Sequence, residues 1–238
     1  MEKNYAVIVS AGKGRRMGTA RKKQYLDLGG MPVLARTLLV FEQAPQIDKI
    51  IVVIPETDRD YCMDKIVSPL RMTTPFQLVD GGSERQDSVW NALTVILEET
   101  GPLNDAMVLV HDGVRPFVEP AMITDCIDKA RSFGACAPGL KLVDTIKRAD
   151  DQGRVEQTID RESLYRIQTP QAFRLQVLFR AFEHAGNTGF RGTDDTSLVE
   201  HLGEPVFISK GSDRNIKITT PEDLILAQFF LRQQDAAD

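Results

Sequence analysis

Short β-branched apolar runs alternate with helix-period segments through the first 140 residues, and few architectures accommodate that alternation. Tyr5–Val9, Lys49–Ile54, Phe76–Val79 and Met107–Val110 are bounded by turn residues and read as strands buried on both faces. Between them, Pro32–Ala44 has helical spacing with proline in its first turn. Ser83–Glu99 does likewise, with Val89, Leu93, Ile96 and Leu97 on one face behind a Ser83/Gln86 capping box. The alternation predicts an α/β fold, a mainly parallel sheet with helices on both faces. Ligands of such sheets bind beyond the carboxyl ends of the strands. Gly12, Gly81 and Asp112 each follow a predicted strand, so all three are expected on one edge.

The rhythm breaks after Pro138. Leu142–Arg148 and Arg154–Ile159 flank the turn-rich Asp150-Asp151-Gln152-Gly153, which predicts a hairpin with no natural place inside a parallel sheet. We read it as an arm projecting from the domain. Helices are expected near Leu175–Ala185 and Asp194–Leu202, and a strand at Val206–Ser209. Asn215–Thr219 reads as a short strand, followed by a closing helix from Pro221 to about Gln233 that Thr220 and Asp223 would start. The chain contains neither internal repeats nor a low-complexity linker, so one domain over 1–238 is expected, with the arm over about 140–162.

The first strand ends in Ser10-Ala11-Gly12-Lys13-Gly14-Arg15-Arg16-Met17, and six Lys or Arg residues fall between Lys13 and Lys23. The chain as a whole carries a formal charge of −5. A basic loop in an acidic protein suits a local anion site better than general affinity for polyanions. Glycine lets backbone N–H groups approach a phosphate closely. Two familiar phosphate loops are excluded, because Met17 stands where both a Walker A loop and a dinucleotide fingerprint need glycine. On composition alone, a tight turn with solvated cations remains open.

Two further strand ends carry candidates. Asp80-Gly81-Gly82-Ser83-Glu84-Arg85-Gln86-Asp87-Ser88 is a strand–helix turn whose plain reading is a helix cap. His111-Asp112-Gly113-Val114-Arg115-Pro116 puts a carboxylate at the end of a central strand, where it could bind Mg²⁺ or merely form a turn.

Ala11-Gly12-Lys13-Gly14-Arg15-Arg16-Met17 with Lys23-Gln24-Tyr25 resembles the signature loop of nucleotidyltransferases. Within that group the chain most resembles the 2-C-methyl-D-erythritol 4-phosphate cytidylyltransferase family, through His-Asp-x-x-Arg-Pro at 111–116 and Gln168-Thr169-Pro170-Gln171. The resemblance implies a Rossmann-like fold whose β-arm embraces a second subunit in a homodimer. It also implies Mg²⁺-dependent transfer of CMP from CTP to the polyol phosphate. Ser10, Ala11, Gly12, Lys13, Gly14 and Gly113 would cradle the nucleotide, while Gly81, Gly82 and Ser88 would read the cytosine. Arg16 and Lys23 are expected to stabilise the transition state, Asp112 to bind the metal, and Asp213 to be a second ligand. Arg115, Thr169, Thr193 and Lys217 would contact the acceptor from the main domain, and Thr145 and Arg161 would reach it across the dimer. His111 is expected to be structural.

Composition narrows the alternatives. No apolar run approaches the roughly 20 residues that span a bilayer, and the polar start Met1–Asn4 predicts no signal peptide. Cys62, Cys126 and Cys136 lack metal-like spacing and read as reduced thiols of a cytoplasmic protein. Three histidines make a histidine-based metal site improbable. Without an aromatic-rich basic surface, nucleic-acid binding is disfavoured. The rival readings are a ribitol 5-phosphate cytidylyltransferase and a non-catalytic nucleotide sensor.

Overall fold

The computed structural model describes residues 2–12 and 22–235. In chain order its regular elements begin with β1 (Asn4–Val9), β2 (Asp27–Leu28), β3 (Met31–Pro32), α1 (Val33–Glu42) and β4 (Lys49–Ile54). They continue with α2 (Arg59–Cys62), β5 (Phe76–Asp80), α3 (Arg85–Thr100), β6 (Met107–Asp112), α4 (Pro120–Phe133) and β7 (Ala135–Lys141). The remainder are β8 (Ile146–Ala149), β9 (Val155–Ile159), β10 (Tyr165–Ile167), β11 (Gln171–Arg174), α5 (Leu175–Thr188), α6 (Asp195–Leu202), β12 (Phe207–Lys210) and α7 (Pro221–Asp235).

The central sheet runs β10-β7-β11-β6-β1-β4-β5, with β12 paired to β7. Its heart is parallel, β1 lying between β4 and β6. Chain order reverses there, because β4 and β5 extend to one side of β1 and β6 to the other. The crevice outside the strand ends at such a reversal is where α/β sheets bind ligands. The sheet is mainly but not wholly parallel: β11 runs antiparallel to both β6 and β7, and β10 antiparallel to β7.

Period-two alternation sorts the parallel strands onto two cores. Ile50, Val52 and Ile54 of β4 join Ala6 and Ile8 of β1 under α1 and α4. Ile51 and Val53 join Tyr5 and Val7 on the opposite face, under α3, α5 and α6. These side chains are fully or almost fully buried, each worth roughly 1.5–3 kcal/mol of apolar transfer for the large ones. A third cluster packs α7 against Leu28, Val33, Val114, Phe117 and Ile218. The hairpin β8–β9 forms a separate two-stranded sheet, and most of its side chains are exposed.

Three local expectations need correction. α3 starts at Arg85 with Glu84 as its cap, not at Ser83. Asp87 accepts from the Glu84 N–H at 3.1 Å and from the Ser83 hydroxyl, and an anion in the first turn also suits the helix dipole. Gln86 is drawn away to Phe190 O and Gly192 N, so it caps nothing. Pro32 falls in β3, and α1 begins one residue later. Asn215–Thr219 forms no strand: Asn215 and Ile216 donate to the local carbonyls of Ser212 and Arg214, and only Ile218 reaches out, to Val114 O at 2.9 Å.

Candidate active site

Register brings the predicted strand ends together. Val9 faces Asp112 on one side and Val53 on the other, while Ile54 faces Asp80. Main-chain bonds continue past the strands: Ser10 N donates to Val53 O at 2.7 Å, Gly113 N to Val9 O at 2.9 Å, and Gly81 N to Ile54 O at 2.8 Å. The turns must pack closely to do this. A Cβ on Gly81 would lie 2.2 Å from the Ala11 Cβ, and one on Gly113 would lie 2.9 Å from Ser10 Oγ. Beyond them opens a cleft of about 480 Å³, lined by Ser10–Gly12, Lys23, Gln24, Gly82–Arg85, Ser88, Asp112 and Lys217. Among the described residues no heavy atom lies within 4 Å of a Cβ placed on Gly12.

Asp112 is the electrostatic centre. Its Oδ2 receives Lys217 Nζ at 3.0 Å and Arg115 Nε at 3.2 Å, and Arg85 Nε stands 3.5 Å from Oδ1. Burial alone would raise its pKa, but Lys217, Arg85 and Arg115 outweigh that and hold the carboxyl well below the usual range. Arg85 also reaches the almost fully buried Asp195, Nη2 to Oδ2 at 2.7 Å. Burial opposes its charge, and Asp195 and Asp112 more than offset that.

A hydrogen-bond relay fixes the backbone here. His111 Nε2 lies 3.1 Å from the Arg115 carbonyl, which can only accept, so Nε2 carries the proton. Nδ1 therefore accepts from the Thr169 hydroxyl at 3.0 Å, whose oxygen accepts from the Asp112 N–H at 3.2 Å. Burial depresses His111 to about 4, so the imidazole is neutral at physiological pH. Lys217 arrives by similar means. Arg115 Nη1 donates to Asn215 O at 2.7 Å, Asn215 Nδ2 to Thr169 O at 2.8 Å, and Gln168 Nε2 to Ser212 O at 2.8 Å. Ile216 and Ile218 turn into the apolar cluster beneath α7, leaving Lys217 on the cleft side.

The predicted residues divide accordingly. Ser10, Ala11, Gly12, Lys23, Gly82, Ser88, Asp112 and Lys217 share the cleft wall; Gly81, Gly113 and Arg115 support it. Lys13, Gly14 and Arg16 lie outside the described residues. Ser88 is nearly buried, and its hydroxyl accepts from Gly82 N–H and donates to Glu84 O, each at 3.0 Å, so it shapes the turn. Thr169 is likewise buried, and its hydroxyl takes part in the relay. Thr193 is exposed in the loop before α6. Thr145 and Arg161 are exposed on the hairpin segment, and Arg161 donates to the Val143 carbonyl. The structure does not bring Asp213 to Asp112. Its carboxylate pairs with Arg166 at 3.3 Å and borders a separate depression with Glu119 and Ser212.

Three residues escaped the sequence reading. Gln24 donates to Ser10 O at 2.8 Å and props the end of β1 from below. Arg85 and Asp195 form the buried pair beside Asp112. Arg85 did leave a signal: a cation at the first position of a helix sits at the unfavourable end of the dipole, which calls for a reason elsewhere.

Comparisons with known proteins agree with this geometry. The family model of IspD, 2-C-methyl-D-erythritol 4-phosphate cytidylyltransferase, matches residues 5–233. The curated protein of that name from Syntrophus aciditrophicus is 43% identical over 230 residues, covering 97% of this chain and 96% of the relative. The one from Geobacillus kaustophilus is 44% identical over 234 residues, covering 98% and 99%. Among solved structures, the 4-diphosphocytidyl-2C-methyl-D-erythritol synthase of Anaerococcus prevotii superposes with a TM-score of 0.83 at 34% identity, covering 97% of this chain and 96% of that one.

Proposed function

This chain belongs to the 2-C-methyl-D-erythritol 4-phosphate cytidylyltransferase family and transfers CMP from CTP to 2-C-methyl-D-erythritol 4-phosphate, releasing pyrophosphate; we propose that it does so in the cleft at the ends of β1, β5 and β6. The observation that carries this assignment is the gathering of Lys217, Arg115 and Arg85 around Asp112, next to the Ser10–Gly12 turn and Lys23. Two mutually repelling anions must meet there, and a cation-rich wall with one fixed carboxylate suits that task.

The acceptor phosphate attacks the α-phosphorus of CTP in line. A phosphate monoester has its second pKa near ~6, so the nucleophile is largely ionised at neutral pH and needs no general base. His111, neutral and enclosed, holds main chain rather than moving protons. Backbone N–H groups of residues 10–14, with Lys13, cradle the triphosphate. Arg16 and Lys23 stabilise charge on the pentacoordinate phosphorus, and Lys217 with Arg115 draws in the acceptor phosphate. Gly81, Gly82 and the turn that Ser88 braces face the base.

The donor set fits Mg²⁺. Among the described residues no three His, Cys, Asp or Glu side chains converge, so an all-protein cage is not on offer. One carboxylate plus substrate phosphates is a usual way of holding this ion, and among the described residues Asp112 Oδ1 has no cation closer than the 3.5 Å Arg85 contact. When bound, the ion would neutralise charge on the reacting phosphates.

The chain acts as a homodimer in this reading. An isolated two-stranded hairpin is marginal in water, and Val143 and Val155 on the arm are 78% and 56% exposed. A second copy supplies the missing surface, and Arg161 and Thr145 then serve the partner's cleft. Three buried free cysteines support a reducing, cytoplasmic setting. Pyrophosphate release from CTP and Mg²⁺, measured with 2-C-methyl-D-erythritol 4-phosphate and with ribitol 5-phosphate, tests the assignment. Asp112→Asn and Lys217→Ala are expected to abolish most turnover. Full activity in both variants would move the reaction elsewhere.

A further inference from the structure

The two oxygens of Asp112 are not equivalent. Oδ2 is committed, to Lys217 at 3.0 Å and Arg115 at 3.2 Å. Among the described residues Oδ1 faces only Arg85, whose Nε stands off at 3.5 Å, beyond normal hydrogen-bond length. The same guanidinium makes its close contact with Asp195, at 2.7 Å. That carboxylate is 1% exposed, and its backbone is anchored. Asp195 N–H and Thr196 N–H both donate to Gln171 Oε1, at 3.1 and 3.2 Å, and Gln171 Nε2 donates to Asp194 Oδ2 at 2.7 Å. Asp194 in turn caps α6 through Ser197 N at 3.0 Å. Asp195 therefore cannot follow Arg85 toward the cleft; Arg85 is held back toward α6.

We infer that Asp195 is a positioning residue, a buried counter-anion that holds Arg85 off Asp112 and thereby keeps Oδ1 open to a divalent cation. The inference rests on the reading of Asp112 as the metal ligand. Without the Asp195 charge, the nearest anion left to Arg85 is Asp112. The guanidinium then closes the 3.5 Å gap and competes with the metal for Oδ1.

The test is Mn²⁺ binding to the full chain with CTP present, read from the electron paramagnetic resonance signal of unbound Mn²⁺. Asp195→Asn weakens Mn²⁺ by about 10- to 100-fold, the usual cost of losing an outer partner of a metal ligand. Arg85→Gln alone leaves Mn²⁺ affinity unchanged or tighter, since it removes the competitor. The double variant recovers most of the affinity that Asp195→Asn loses, whereas a purely architectural role for Asp195 would leave the double variant no better. A folded Asp195→Asn protein with unchanged Mn²⁺ affinity overturns the inference. So does an Arg85→Gln protein that loses affinity, and this second variant decides the matter if Asp195→Asn fails to fold. Asp112→Asn separates the two readings. If it leaves Mn²⁺ binding intact, the metal assignment falls and this inference with it. If it abolishes binding while Asp195→Asn is neutral, only the role of Asp195 is wrong.

Discussion

Thr169→Val keeps the shape of a buried side chain and removes one hydroxyl, so it isolates the relay behind Asp112. Two partners lose their bond, the Asp112 N–H at 3.2 Å and His111 Nδ1 at 3.0 Å. Both residues are buried, at 6% and 0% exposure, and water cannot replace the hydroxyl. An orphaned buried polar group costs about 1–3 kcal/mol, so the pair should cost about 2–6 kcal/mol. That is a large part of the roughly 5–15 kcal/mol that holds a typical domain together. With a urea dependence of about 2–3 kcal/mol per molar, the unfolding midpoint should fall by about 1–3 M. The single tryptophan, Trp90, reports the transition, because it packs against Phe179 and Phe182 with ring centroids 6.3 and 5.7 Å away. An unchanged midpoint together with a raised KM for the polyol phosphate would refute the reasoning, and would return Thr169 to direct substrate contact.

Further expectations concern pH, charge and the arm. Burial depresses His111 from 6.5 to about 4, so between those values the unfolded chain binds the extra proton. Its contribution is complete above pH 6.5 and is lost as pH falls toward 4, by roughly 3 kcal/mol. Urea midpoints from pH 7.5 to 4.5 should therefore drop more steeply in the native chain than in His111→Gln, and equal slopes would dismiss the effect. Lys23→Ala should cut turnover by about 10²–10³ with little change in KM, as expected for a group working on transition-state charge. Lys22→Ala is the control, since Lys22 pairs with Asp58 at 2.6 Å outside the cleft and a partly exposed pair of this kind contributes little. Mixing Arg161→Ala and Lys23→Ala subunits should return up to about half the activity of each mixed dimer, because one site then carries neither defect. Demonstrated subunit exchange without recovery would confine the arm to its own chain.

Much of this protein was legible without coordinates because the decisive signals were local. Period-two alternation in 50–54 and 107–110 assigns each side chain to one core or the other, and glycines at 12, 81 and 113 mark where strands stop. Those strand ends already named the Ser10–Gly12 turn and Asp112 as the wall of the site. Tertiary structure decided what depends on distant partners. Asp87 outcompeted Ser83 and Gln86 for the start of α3, because loop 190–192 drew Gln86 away. Thr169 and Ser88 read as substrate hydroxyls in the chain, and the packed sheet adds internal bonds to each that the chain alone does not show. Asp213 is an acid near Lys217 in sequence, but it sits in a local turn, bonded from Asn215 to Ser212, and pairs with Arg166 instead. Arg85 and Asp195 stand 110 positions apart and meet only because α3 and α6 start on the same edge of one sheet. A buried ion pair is a property of that enclosure: burial makes each charge depend on its partner, and no reading of either residue's own neighbours reveals it.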